Sequence, residues 1–163
     1  MEKSDSFDLK SVLRQKPTAF SAINGSVNYP QVHGTARFYQ TERGVVVAVE
    51  ASGLPTASNP CASTIFAVHI HGGISCTGNE IDPFFDAGVH YNPHQCPHPY
   101  HAGDLPPLFG NDGFGFMIFL TDRFAVYEII GKTIVIHSSP DDFTTQPSGN
   151  SGTKIACGEI RYQ

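Results

Sequence analysis

Apolar and polar residues alternate in short runs over most of the chain from Ala19 onward. A period of two places successive side chains on opposite faces, which is typical of half-buried β-strands. The pattern predicts about eight short strands, over residues 19–28, 34–40, 44–55, 64–71, 113–120, 123–130, 132–138 and 154–162. Only residues 41–43 separate the second strand from the third, close enough for a hairpin.

The connections between these strands are rich in turn-forming residues, in keeping with the 16 glycines and 12 prolines of the chain. Two connections are long, over residues 72–113 and 139–153. A structureless segment as long as the first is uncommon in a compact domain unless it is functional or tied down. Short strands, many turns and no convincing internal helix predict an all-β antiparallel barrel or sandwich.

The length of 163 residues is that of one domain with a real core. We expect a loose N-terminal leader over residues 1–18, although residues 7–15 could make a short helix, and a single β-domain over residues 19–163. No domain linker and no internal repeat interrupt the second part.

The net charge of −5 and the absence of a basic stripe argue against a nucleic-acid partner. No apolar window is long enough for a transmembrane helix, so no membrane partner is expected. The N-terminus lacks the apolar core of a secretory signal. The protein is therefore expected in the cytoplasm if Met1 is the native start, and outside it if a leader was removed.

Histidines are concentrated in one stretch, since six of the eight lie between residues 67 and 104. They are His69, His71, His90, His94, His98 and His101. Histidine is the commonest side-chain metal ligand, so this stretch is the candidate functional segment. His33 and His94 have no evident partner and are interpreted as ordinary polar residues.

His69 and His71 are two residues apart on a predicted strand, so both rings should project from one face while Ile70 points into the core. The alternative is a pair of exposed polar residues on a half-buried strand. His137 ends an apolar strand, where a lone histidine is more often structural.

The sequence HPYHAGD gives a stronger signal than the strand pair. It places His98, His101 and Asp104 three residues apart, and two imidazoles with a carboxylate suit a tetrahedral zinc site. The neighbouring Pro97, Pro99 and Gly103 argue against a helix. We therefore expect a loop that curls around a metal ion.

The four cysteines are an even number, which favours disulfides and an oxidising compartment. They are Cys61, Cys76, Cys96 and Cys157. Their spacing fits no CxxC metal motif, and spacing alone does not choose among the pairings.

Several motifs in order resemble the copper/zinc superoxide dismutase family. AVHIH is similar to its strand with two copper ligands, and GVHYNP to the segment with the histidine shared by both metals. HAGDL resembles its last zinc ligands, VIHSSPDD its final copper ligand, and GNSGTKIACG its C-terminal signature. The resemblance extends from about Ala22 to the C-terminus. It implies an eight-stranded antiparallel Greek-key barrel (an immunoglobulin-like sandwich) with two long metal-site loops.

The resemblance also implies the ligands of each metal. Copper would be bound by His69, His71, His90 and His137. Zinc would be bound by His90, His98, His101 and Asp104. Asp141 would hydrogen-bond one ligand of each metal, and Cys76 would form a disulfide with Cys157.

Lys154 and two of the cysteines are among the features that depart from the family pattern. Lys154 stands where the family has an arginine near copper; it keeps the positive charge that attracts superoxide but loses the planar fork. The bland alternative for Lys154 is an exposed surface lysine. Cys61 and Cys96 have no counterpart, and the alternatives are a second disulfide, free thiols or an adventitious soft-metal site.

The implied activity is conversion of superoxide to oxygen and hydrogen peroxide by Cu(II)/Cu(I) cycling, with His90 bridging copper and zinc as an imidazolate. His90 and Lys154 are the expected catalytic residues, and superoxide is the expected small-molecule partner. Homodimers are common in the family, so a homodimer is one expected state. The alternatives are a non-catalytic copper/zinc-binding protein on the same barrel and a structural barrel with zinc alone, which would leave three histidines unexplained.

Overall fold

The computed structural model describes residues 7–163. Its elements are α1 (Leu9–Leu13), β1 (Ala19–Gly25), β2 (His33–Thr41), β3 (Gly44–Ser52), β4 (Ile65–Phe66), β5 (Val68–His71), the single-turn 3₁₀ helix (Phe85–Ala87), β6 (Leu108–Asn111), β7 (Phe114–Thr121), α2 (Val126–Ile129), β8 (Thr133–His137), β9 (Lys154–Glu159) and β10 (Arg161–Tyr162). The expected loose leader contains α1, none of whose residues is buried. Residues 1–6 of that leader lie outside the described part of the chain.

The strands form one antiparallel sheet that nearly closes on itself. Its order is β4-β6-β7-β3-β2-β1-β9-β8-β5, with β10 paired to β1. The two ends of this path, β4 and β5, are separated in the chain by Ala67 alone, so the sheet returns to its start. Because β3 to β4 and β7 to β8 join strands that are not neighbours, the connections are those of a Greek-key barrel. The predicted fold class is confirmed.

The core lies inside the barrel and follows the alternation of the strands. Val45, Val47 and Val49 of β3 are each 0% exposed and face Phe38 of β2 and the isoleucines of β8 and β9. A second, smaller cluster covers the outer side of β8, where Val135 packs against Cys157, Phe84 and Ala87. Since the last two come from the long segment after β5, this cluster attaches that segment to the barrel.

Three details differ from the sequence prediction. The strands predicted over 64–71 and 154–162 are each broken, into β4 and β5 and into β9 and β10. Residues 123–130 were predicted as a strand, which is wrong, because α2 forms there. Val126 and Ile129 are buried with a spacing of three, and Glu128 accepts a hydrogen bond from the N–H of Ala125.

The third difference is β6, which lies inside the stretch 72–113 that was predicted to be irregular throughout. Asp112 and Gly113 connect β6 to β7 with φ values of 49° and 80°. Two adjacent positive φ values define the tight hairpin turn that Asp-Gly favours. The dipeptide was therefore the sequence signal for this strand. No helix in residues 7–163 is long and apolar enough to cross a membrane.

Candidate metal centre

The centre is built on the outer face of β5. Val68 and Ile70 point into the barrel core, whereas His69 and His71 project from the opposite side, as the alternation predicts. Both rings are nevertheless buried, at 0% and 2% exposed. The alternative of two solvent-exposed histidines is therefore wrong, because another part of the chain covers this face.

The cover is the long segment after β5, which runs back along that strand. The N–H of Ile70 donates to Gly103 O (2.9 Å), the N–H of Tyr91 to Ile70 O (2.8 Å), and the N–H of Gly103 to Tyr91 O (2.9 Å). A Cβ at Gly103 would lie 2.2 Å from Ile70 O, so the close approach requires glycine. These bonds place His90 opposite His71 and Asp104 opposite His69.

Two sets of buried side chains result, and each could hold a metal ion. The four-histidine group consists of His69, His71, His90 and His137. The mixed group consists of His90, His98, His101 and Asp104. Within each group, one nitrogen or oxygen atom per residue lies within 4.8 Å of the others. The two sets are those that the resemblance implied, with His90 in both.

His90 stands between the two groups. Its Nδ1 lies 2.8 Å from Asp104 Oδ1 and 3.3 Å from His101 Nδ1, on the side of the mixed group. Its ring centroid lies 3.9 Å from that of His69 and 5.0 Å from that of His71. The second ring nitrogen, Nε2, is thereby left for the four-histidine group.

Asp141 connects the two groups from behind. His69 Nε2 donates to its Oδ2 and His98 Nε2 to its Oδ1, both at 2.8 Å, and the N–H of Phe143 donates to Oδ1 at 2.7 Å. Burial raises the pKa of Asp141, but these hydrogen bonds outweigh it and hold the pKa well below its usual range. A Cβ at Gly149 would meet Asp141 Oδ1 at 1.9 Å. Glycine therefore lets the second loop close over this carboxylate.

The protonation of the histidines suits metal binding. Burial lowers the pKa of His71 to about 3 and holds that of His137 well below its ordinary value. Burial also lowers the pKa of His69, although the hydrogen bond to Asp141 opposes it. The rings are accordingly neutral near pH 7, as a metal ligand must be.

Lone pairs without a hydrogen-bond partner point into both groups. The Nδ1 atoms of His69 and His98 are buried and make no hydrogen bond; that of His98 lies 3.1 Å from Asp104 Oδ2 but without hydrogen-bond geometry. His71 donates Nδ1–H to Gly88 O at 2.7 Å, and its Nε2 lies 3.2 Å from Nε2 of His137, so these two nitrogens face each other within the four-histidine group. Buried unsatisfied nitrogens are costly, and convergent neutral imidazoles suit copper and zinc. The residues fit both metals.

Comparison with known proteins agrees with this geometry. The family model described as copper/zinc superoxide dismutase matches residues 32–160. The chain belongs to the copper/zinc superoxide dismutase family. It is 36% identical over 147 residues to a Cu-Zn superoxide dismutase of Deinococcus radiodurans, covering 78% of this chain and 76% of that one. A Cu-Zn superoxide dismutase of Aquifex aeolicus is 32% identical over 148 residues, covering 80% of each chain.

A solved structure shows the same fold. The Cu/Zn superoxide dismutase from Brucella abortus superposes with a TM-score of 0.72, covering 86% of this chain and 98% of that one at 23% identity. Membership of the copper/zinc superoxide dismutase family and the pattern of His and Asp groups together identify copper and zinc as the metals of this fold.

In this family member a cavity of about 520 Å³ leads to the four-histidine group. Its wall includes His71, His90 and His137, with Lys154 at one side. The Lys154 side chain is only 15% exposed, so it is not the ordinary surface lysine considered from the sequence. The cavity is wide enough for a small anion and water.

Two residues that the sequence did not single out hold the ligand-bearing loop of the mixed group. Arg123 Nη1 donates to three backbone carbonyls of that loop, Pro99 O (3.0 Å), His101 O (3.2 Å) and Asp104 O (3.2 Å). Gln146 accepts from the N–H of His98 at 2.9 Å and donates to His98 O at 2.7 Å. Neither carries a local sequence signal, because each acts on a segment distant in the chain.

The cysteines divide into a bonded pair and two thiols. Cys76 and Cys157 form the disulfide that the resemblance implied, with Cα atoms 5.7 Å apart. Cys61 and Cys96 are free, so a second disulfide between them is not formed. Each is fixed in its own turn, since the N–H of Cys61 donates to Asn59 Oδ1 and that of Cys96 to Asn92 Oδ1.

Proposed function

We propose that this chain is a superoxide dismutase in which copper is held by the four-histidine group and zinc by the mixed group. The observation that carries the proposal is that both groups are complete, buried and share His90. A carrier of a single metal needs no shared ligand. A structural zinc barrel needs no four-histidine group beside a cavity.

The net reaction combines two superoxide anions and two protons to give one molecule of oxygen and one of hydrogen peroxide. When bound, copper supplies the one-electron redox couple, and zinc supplies a fixed positive charge without redox chemistry. The first superoxide gives up one electron and leaves as oxygen; the second accepts that electron and both protons.

His90 is the proposed site of proton storage. Its Nδ1 faces Asp104, and two neighbouring cations would favour loss of both ring protons. Its Nε2, on the side of the four-histidine group, can then take up a proton and release it to the second superoxide. The other proton comes from water in the cavity.

Lys154 is the proposed attraction point for the substrate. Its ammonium lies in the wall of the cavity that contains His71 and His137. A positive charge in a narrow cleft raises the local concentration of an anion. Lysine provides this charge through a compact ammonium group and lacks the planar, bidentate hydrogen-bonding geometry of the arginine guanidinium.

The variant His137→Ala tests the assignment. We expect superoxide turnover by protein loaded with copper and zinc to be lost, because the four-histidine group loses one ligand. Zinc content should remain unchanged, since His137 is outside the mixed group. Turnover that survives in His137→Ala would contradict the ligand assignment.

A homodimer is the oligomeric state that we propose. On the outer side of the adjacent strands β6 and β7, Phe109 is 64% exposed and Phe116 is 54% exposed. Exposed apolar groups of this kind on neighbouring strands favour protein contact. Light scattering should give twice the chain mass of 17.6 kDa; a mass equal to one chain would contradict the dimer.

An extracytoplasmic location is supported by the disulfide between Cys76 and Cys157, since disulfides persist in oxidising compartments. It is the location expected if a leader was removed. Cell fractionation tests it, and activity confined to the cytoplasmic fraction would contradict it.

A further inference from the structure

Lys154 does not face the cavity alone, because its ammonium is paired with a carboxylate. Nζ donates to Asp82 Oδ2 at 2.5 Å and to Phe84 O at 3.2 Å. Both residues belong to the segment that follows Cys76, which the disulfide ties to β9. The cation of the cavity is thus held at its wall by a negative charge.

The position of Asp82 is fixed by its own turn. Its N–H donates to Asn79 Oδ1 (3.0 Å) and its Oδ1 accepts from the N–H of Phe84 (3.0 Å). Its backbone carbonyl accepts from the N–H groups of Asn79 (2.9 Å) and Phe85 (3.1 Å). Phe84 packs in the cluster under Val135. The Asp82 carboxylate is therefore already oriented towards Lys154, and the ion pair is a fixed part of the cavity wall.

The pairing changes the charge of the whole cavity. Besides the histidines, Asp82 and Lys154 are the charged residues that line it in the described part of the chain. Their formal charges sum to zero, so the attraction of Lys154 for an approaching anion is weakened. A cavity whose lysine was unpaired would attract anions more strongly.

We propose that Asp82 is a positioning residue that holds Lys154 at the cavity wall and lowers the affinity of the four-histidine site for small anions. The proposal rests on copper occupying that site, as in the proposed function. It assigns to Asp82 a control over how strongly the cavity attracts small anions, superoxide included.

Azide is a suitable probe, because its coordination to Cu(II) gives a charge-transfer absorption band and does not depend on turnover. In protein loaded with copper and zinc, we expect Asp82→Asn to lower the Kd for azide by about three- to tenfold, as expected for removal of a unit charge close to the anion. The separate variant Asp82→Glu keeps the negative charge, so its Kd for azide should stay within about twofold of the wild-type value.

Asp86→Asn is the matched control. Asp86 lies in the same segment and bonds to Thr77 Oγ1 rather than Lys154, outside the cavity. Its removal should change the Kd for azide by less than about twofold. Dismutation by Asp82→Asn should also fall more steeply with added salt than that of wild type, since an unpaired cation attracts superoxide at longer range.

An azide Kd that is unchanged or raised in Asp82→Asn would overturn the proposal. An equal fall of the Kd in Asp86→Asn would also overturn it, because the effect would then come from net charge alone. Failure of the wild-type protein to bind copper would remove the proposed function itself. That result is recognised by the missing copper absorption before any azide is added.

Discussion

The two metal groups are positioned by different parts of the molecule. In the four-histidine group, His69 and His71 lie on β5 and His137 ends β8, so three ligands are fixed by the sheet. All members of the mixed group come from the segment between β5 and β6. The ligand geometry of the four-histidine group therefore depends mainly on the stability of the barrel. That of the mixed group depends on the few contacts that hold its loop in place.

Asp141→Asn should have the largest effect, because Asp141 anchors both groups. The backbone N–H of Phe143 and the ring Nε2–H of His98 both donate to Asp141 Oδ1. The amide of asparagine should keep its oxygen there and turn its NH₂ towards His69. Copper affinity should then fall by about 10- to 100-fold and zinc affinity by less, as measured by chelator competition. A larger loss of zinc than of copper would contradict this reading.

Arg123→Met should have the next largest effect and should separate the two groups. Arg123 donates hydrogen bonds to three carbonyls of the loop that carries His98, His101 and Asp104. None of these bonds goes to a member of the four-histidine group. We expect zinc affinity to fall by about tenfold while copper affinity stays within about twofold. Arg161→Met is the control, since Arg161 is exposed and pairs with Glu159. Equal losses of both metals would refute the separation.

Gln146→Ala should produce the smallest effect of the series. The side chain makes two hydrogen bonds to the backbone of His98, and a typical neutral hydrogen bond contributes about 1 kcal/mol. Zinc affinity should fall severalfold, with little change for copper. Gln31→Ala removes an exposed glutamine outside both groups and serves as control. A loss as large as that in Arg123→Met would contradict the ranking.

The sequence predicted most of the sheet, because alternating burial is encoded locally. Where it failed, the decisive contacts were not local. The pattern of residues 123–130 is compatible with a strand. In the folded chain this segment forms a helix, because Val126 and Ile129, three residues apart, both pack against the core. The strand β6 was missed because the many prolines of residues 72–113 hid a hairpin that the Asp112–Gly113 pair could have revealed.

Residue types and spacing predicted the strand pair and the HPYHAGD motif, whereas the complete ligand sets, with His90 and His137, followed from the resemblance to the family. The residues that hold the ligand-bearing loop in place were harder to predict from the sequence. Arg123 and Gln146 act on carbonyls far away in sequence, and any long polar side chain could have done this from several positions. The pairing of Lys154 with Asp82 is of the same kind, since it depends on how the segment after Cys76 folds over the cavity.

The central claim is that the four-histidine group carries copper chemistry beside a zinc site. The most direct test is superoxide consumption by protein loaded with copper and zinc, compared with zinc-only and metal-free protein. We predict fast catalytic turnover that requires copper and is absent from the other two forms. Tight copper binding without turnover would contradict the claim and move the protein to the class of non-catalytic copper carriers.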